Sequence, residues 1–220
     1  MPQIIPTLLC STFEEFSTQV KQVEPLFSYA QIDVMDGKFV PSVSFSDVNQ
    51  IAALSTSLKY ELHLMVADPI AEIQKWKSIP NIFRAIFHME SSCDPTSAIT
   101  AICELGWEVG IALNPDTPLT LAGAFYDLVD VVLFMTVNPG KQGQKFIPEV
   151  GEKIAQFTGL TSRPKCAVDG GINKYNIAQV TNYGAELLYV GSALMKSGGT
   201  MEEAYRELQE KMTKAALRIS

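Results

Sequence analysis

Eight times along the 220-residue chain, a short run of β-branched and apolar residues gives way to a longer stretch with helical period. The apolar runs are IIPTLL (4–9), YAQIDVM (29–35), KYELHLMV (59–66), FRAIFHM (83–89), WEVGIALN (107–114), DVVLFMTVN (130–138), PKCAVDG (164–170) and ELLYVGS (186–192). Helices are expected over 11–24, 47–55, 68–78, 94–106, 117–126, 149–158, 174–184 and 201–218. Ser11 or Thr12 suits an N-cap, with Glu14 and Glu15 in the first turn, and two helices open on Asp-Pro at Asp68 and Asp94, where the acid caps and proline takes the first helical position. Unbroken strand–helix alternation implies parallel strands joined by right-handed crossovers. Eight such units in a chain of this length predict one (β/α)8 barrel domain over residues 1–220. An open doubly wound sheet would need a glycine-rich turn after the first strand, and PTLLCST has no glycine.

In such a barrel the chemistry sits at the C-terminal ends of the strands. The second strand reads QIDVMDG over 31–37, where period two puts Gln31, Asp33 and Met35 on one face and Asp36 on the other. Asp36 therefore reads as a turn-shaping or capping acid. Asp33 has no basic residue in its strand and is costly to bury without a partner. His63 ends the third strand, His88 and Glu90 the fourth, and Asp169 the seventh. A histidine on a strand is ordinarily a core residue. His63 stands out because Asp33 and Asp169 are strand-end carboxylates of the same barrel. Two Asp and one His from three strands suit a divalent cation such as zinc, manganese or iron, and Gln31 offers a weaker amide oxygen.

Glycines follow strands six, seven and eight: Gly140 and Gly143, Gly170 and Gly171, then Gly191 before Ser192. Each could be a tight turn. Together they match the corner where these barrels hold phosphate, because a backbone without Cβ lets N–H groups approach the anion. The net charge of −7 argues against a nucleic-acid or anionic-membrane partner. No window is apolar for long enough to span a bilayer, and the N-terminus lacks the pattern of a signal peptide. A cytoplasmic protein is expected, with Cys10, Cys93, Cys103 and Cys166 as buried thiols without CxxC spacing.

The segments DVMDGKFVP, HLMV, MTVNPG with GQKFIP, VDGGIN and VGSA occur in this order along nearly the whole chain. In this they resemble the ribulose-phosphate 3-epimerase family. The resemblance implies a TIM barrel of the ribulose-phosphate-binding type, and a metal-assisted 3-epimerase interconverting D-ribulose 5-phosphate and D-xylulose 5-phosphate through an enediolate. Asp33 and Asp169 match the two catalytic aspartates and, with His63, the metal ligands. Thr7, His63, Gly140, Lys141, Gln142, Gly143, Asp169, Gly170, Gly171, Gly191 and Ser192 fall on substrate- and phosphate-binding positions. Met35, Met65 and Met135 match methionines lining the active site. A homo-oligomer is also implied.

Departures from the family pattern bear on this reading. Gln31 stands where the family carries its first histidine ligand, and Thr7 where serine is usual. The phosphate loop reads PGKQGQ, with Lys141 replacing an aromatic residue and Gln142 a glycine. Lys141 reads equally as a phosphate contact or as a solvated loop lysine. Two alternatives stay open: a phosphosugar-binding relative with weak or lost catalysis, and an epimerase for a ketohexose 6-phosphate.

Overall fold

The computed structural model describes residues 1–217. Its centre is a closed barrel of parallel strands in sequence order: β1 (Gln3–Leu8), β2 (Tyr29–Met35), β3 (Lys59–Met65), β4 (Ile82–His88), β5 (Glu108–Leu113), β6 (Val131–Met135), β7 (Lys165–Asp169) and β8 (Leu187–Val190). Pairing of Gln3 to Pro6 with Leu187 to Val190 closes β1 onto β8. Around it lie α1 (Phe13–Val23), α2 (Val48–Ala52), α3 (Pro69–Trp76), α4 (Pro95–Cys103), α5 (Val150–Thr158), α6 (Ile177–Asn182), α7 (Ser192–Met195) and α8 (Met201–Ala216).

The helices begin where local chemistry starts them. The Thr12 hydroxyl accepts from the Glu15 N–H, so Thr12 rather than Ser11 caps α1. Asp68 and Asp94 cap α3 and α4, each followed by proline. Thr200 and Glu203 form a reciprocal capping box at α8. Helix α1 turns Phe16, Val20 and Val23 inward. Burying each such large apolar side chain contributes about 1.5–3 kcal/mol.

The fifth interstrand segment departs from expectation. A helix over 117–126 is replaced by two 3-10 helices, Leu119–Leu121 and Gly123–Leu128. Pro118 precedes the first without a side-chain cap, and Gly123 sits where an α-helix would need its interior. The helix expected over 174–184 is only Ile177–Asn182. Strand β8 stops at Val190, and the chain turns at Gly191 into the unforeseen α7. Of the helix expected over 201–218, Arg218 lies outside the described residues. The four cysteines are free, but only Cys10 and Cys166 are buried. Cys93 is half-buried and Cys103, ending α4, is exposed. No helix among the described residues is long and apolar enough to cross a membrane.

Apolar packing forms two main shells and a small third cluster of Met35, Val40 and Met65. The larger joins the outward strand residues to the helices, including Leu62, Trp76, Phe134, Phe157 and Val168. The smaller fills the barrel with Ile5, Ile86, Leu133, Ala167, Leu187 and Tyr189, among others. Gly110 belongs to this interior: a Cβ there would lie 2.6 Å from Ile86, so the glycine makes room for the larger neighbour. The inward positions of β2, β3 and β4 carry instead a polar seam of Gln31, Asp33, Glu61, His63, Arg84 and His88, all buried. Register pairs Gln31 with Glu61 and Asp33 with His63.

Candidate active site

The seam is built in layers. In the lower one, the Gln31 amide Nε2 donates to Glu61 Oε1 at 3.0 Å. The other Glu61 oxygen pairs with the Arg84 guanidinium, which also donates through Nε to Glu108 at 2.9 Å. Tyr189 stands beside this pair, and burial followed by the Glu61 charge keeps its phenol protonated. None of Glu61, Arg84 and Tyr189 was singled out from the sequence. Arg84 and Glu61 sit on different strands, and only barrel closure brings Tyr189 to them.

In the layer above, Asp33 Oδ1 lies 3.0 Å from His63 Nδ1, and Asp169 Oδ2 reaches the same nitrogen from β7 at 3.6 Å. Ligand atoms of Asp33, His63 and Asp169 all lie within 4.8 Å of one another. Burial first, then the charge of Asp33, pushes the Asp169 carboxyl above the usual carboxylate range. Burial opposes a charged His63, but the hydrogen bond it donates to Asp33 and the charges of both aspartates outweigh it and raise the imidazole. The backbone holding Asp169 is anchored by Thr136, whose hydroxyl donates to the Asp169 and Gly170 carbonyls at 2.9 and 2.6 Å.

The donor set fits a divalent cation. Two carboxylates and one imidazole crowd together with no lysine or arginine paired to them among the described residues, and a proton or a metal is the natural counter-charge. Gln31 adds a second indication. Among the described residues its buried Oε1 has no hydrogen-bond partner, while Nε2 is taken by Glu61. Such an orphaned oxygen is costly unless something donates to it or it binds a cation.

A cavity opens above the cluster, lined by Thr7, Asp33, His63, Met65, Met135, Gly140, Lys141, Gln142, Gly143, Asp169, Gly170, Gly171, Gly191 and Ser192. Nearly every expected site residue thus meets here. Met35 stands outside the cavity wall, packed with Val40 and Met65, and Gln31 belongs to the layer below. Close approach requires glycine in this wall, as Gly171 and Gly191 illustrate. At Gly171 the φ is +66°, and a Cβ would lie 2.6 Å from the Phe146 nitrogen. At Gly191 it would lie 2.5 Å from the Thr7 hydroxyl and 3.0 Å from Gln142 Nε2. That Gln142 nitrogen is itself buried and, among the described residues, unpartnered, so it offers an N–H donor beside the cavity. Lys141 is exposed at the rim.

Asp36 shapes the turn, as its parity suggested. Partial burial opposes its charge, but N–H donors of Ala67, Phe39 and Lys38 hold its carboxyl below the usual range. His88, which the sequence left as a core histidine, is bonded into the site: its Nε2 lies 3.0 Å from His63 Nε2. Burial pushes the His88 imidazole down to about 4, against the pull of Glu90.

Comparison with known proteins follows the same lines. The model of the Ribulose-phosphate 3 epimerase family matches residues 3–195. The chain is 33% identical over 201 residues to ribulose-phosphate 3-epimerase of Bacillus subtilis (strain 168), covering 88% of this chain and 92% of that protein. It is 36% identical over 174 residues to the protein of the same name from Buchnera aphidicola subsp. Baizongia pistaciae (strain Bp), covering 75% of each. Among solved structures, 3-hexulose-6-phosphate synthase from Salmonella typhimurium superposes with a TM-score of 0.70 at 18% identity, over 97% of this chain and 99% of that one. The 3-keto-L-gulonate-6-phosphate decarboxylase from Vibrio cholerae gives 0.71 at 13% identity, over 97% and 98%. These two share the fold.

Proposed function

The chain belongs to the ribulose-phosphate 3-epimerase family, and from that premise we infer that it is an isomerase interconverting D-ribulose 5-phosphate and D-xylulose 5-phosphate. The observation carrying the residue assignment is the convergence of Asp33 from β2 and Asp169 from β7 on one nitrogen of His63, under a cavity with glycine-rich walls.

Inverting a carbon centre next to a ketone requires a base on one face and an acid on the other. Asp33 and Asp169 approach from different sides of the barrel. One carboxylate takes the proton on C3, the substrate passes through an enediolate, and the other carboxyl returns a proton to the opposite face. The roles exchange in the reverse direction. Asp33, His63 and Asp169 would hold a divalent cation (zinc, manganese or iron), with Gln31 Oε1 as a further oxygen donor. When bound, the cation supplies Lewis-acid stabilisation of the charge developing on the substrate oxygens. Met65 and Met135 limit water at the reacting carbons. The phosphate reads to the corner of Gly143, Gly170, Gly171, Gly191 and Ser192, with Gln142 Nε2 as a donor and Lys141 at the rim. Thr7 offers a hydroxyl to the sugar.

The test is a coupled epimerase assay on metal-analysed protein, with five- and six-carbon ketose phosphates compared. Turnover is expected on the pentose phosphates, with losses of roughly 10²–10⁴-fold in Asp33→Asn and Asp169→Asn, the scale of general acid–base catalysis. Absence of turnover with every added divalent metal would overturn the reading. Faster turnover on the six-carbon substrate would replace the pentose assignment.

A further inference from the structure

The contact between the two histidine rings contains a chemical constraint. Two nitrogens 3.0 Å apart, His63 Nε2 and His88 Nε2, hold one proton between them. Both rings are fully buried, and Phe39 packs on His88 with ring centroids 4.8 Å apart, so water does not substitute for either partner. Which ring donates is decided at the far side of His88. There Nδ1 faces Glu90 Oε2 at 3.3 Å. The other Glu90 oxygen accepts from the Asn114 N–H at 2.8 Å and from the Thr117 hydroxyl. A carboxylate only accepts, so His88 must present Nδ1–H to it. Neutral His88 then has its lone pair on Nε2, and His63 must donate Nε2–H.

We propose that His88 and Glu90 are positioning residues that keep a proton on His63 Nε2, so that when a cation displaces the proton His63 shares with Asp33, Nδ1 is the nitrogen whose lone pair meets it. The proposal rests on the reading of His63 as a metal ligand. A ligating histidine commonly donates its second N–H to a fixed acceptor, and loss of that acceptor typically costs 10–100-fold in metal affinity. Here the acceptor is a second imidazole, oriented in turn by a carboxylate at the end of β4. Glu90 is itself seated on the loop after β5. Lys153 Nζ braces that loop by donating to the Asn114, Pro115 and Thr117 carbonyls at 2.9, 2.8 and 2.8 Å. Glu90 does not line the cavity. Its influence passes entirely through His88.

Glu90→Gln is the discriminating substitution. The Asn114 N–H and Thr117 hydroxyl would keep the amide oxygen, turning the –NH2 toward His88. His88 Nδ1 would then have to accept, Nε2 would carry the proton, and His63 would be pushed toward Nδ1–H, where the proton competes with the metal. Glu90→Asp keeps an acceptor and should restore the original arrangement.

The chain has only 2 histidines, so long-range nitrogen–proton NMR of the rings assigns both tautomers without overlap. In the unmodified zinc-loaded protein, His63 should be Nε2–H with Nδ1 on the metal, and His88 Nδ1–H. Competition with a chromophoric chelator should show zinc binding weakened 10–100-fold in Glu90→Gln and recovered in Glu90→Asp. The spectrum of the unmodified protein decides even if the variants fold poorly. His88 protonated on Nε2, or zinc bound through His63 Nε2, would overturn the proposal, as would unchanged affinity and tautomers in Glu90→Gln. Failure of the unmodified protein to bind zinc, manganese or iron at all would instead remove the metal-ligand reading beneath it.

Discussion

Arg84→Met tests whether the lower layer of the barrel is held by a charge pair. Glu61 is 0% exposed and Arg84 5%. Arg84 is the cation of the pair, while the Gln31 amide also donates to Glu61 and the protonated Tyr189 phenol stands beside it. Removing the guanidinium leaves a buried carboxylate with neutral neighbours in place of its counter-charge. Breaking a buried pair from one side costs about 3–5 kcal/mol, mostly because the surviving charge is stranded. The Glu108 contact adds little, since that side chain is 45% exposed. For a protein of this size, 1 kcal/mol corresponds to roughly 2–4 °C in Tm, so a fall of about 6–20 °C is expected. The double variant Glu61→Gln/Arg84→Met removes both charges and should be more stable than Arg84→Met alone. The assay is urea and thermal unfolding of metal-stripped protein at neutral pH, followed by fluorescence and circular dichroism together. A single variant losing less than about 1 kcal/mol, or a double variant no better than the single, would refute the stranded-charge argument.

Three further outcomes are expected. Gln31→His should tighten zinc binding by ~10-fold, about 1.4 kcal/mol, by placing an imidazole where the amide oxygen stands. Chelator competition reads this, and weaker binding would mean that position 31 does not face the cation. Gly171→Ala puts a side chain at φ +66° and 2.6 Å from the Phe146 nitrogen. It should raise KM for the sugar phosphate by ~10-fold or more while costing about 1–2 kcal/mol of stability, measured by steady-state kinetics and urea unfolding. Burial opposes the charge on Glu90, but hydrogen bonds from His88, Thr117 and the Asn114 N–H outweigh it and hold the carboxyl down to about 2. Its folded value is below the unfolded one, so its stabilisation is fully present above the ordinary glutamate range and is lost as pH falls toward 2. Acid titration of stability should therefore be flatter in Glu90→Gln than in the unmodified protein over that window.

Much of the site was legible because barrel architecture places strand ends together. Asp33 and Asp169 stood out as carboxylates in otherwise apolar strands, and the glycines after β6, β7 and β8 were visible as a set. Arg84 was not legible: within FRAIFHM it reads as one polar residue in a strand, and nothing local says whether it faces Glu61 or solvent. His88 and Glu90 were visible as strand-end groups, but their contact with His63 depends on the register of β3 against β4, which slips between Tyr60 and Glu61. The 3-10 segments after β5 carry the apolar spacing of a helix, and that spacing alone does not register the missing cap or Gly123.

The sequence by itself determined the alternation, hence parallel strands, the closed barrel and the end at which chemistry gathers, because periodicity and capping are local properties of the chain. The tertiary structure decided which polar groups pair. Whether Gln31 spends its amide on Glu61, whether His63 points Nδ1 or Nε2 at the aspartates, and whether Met35 lines the cavity or backs it depend on distances of a few ångströms between strands remote in sequence. Hydrogen bonds and ion pairs are decided at that scale, and only the closed barrel sets it.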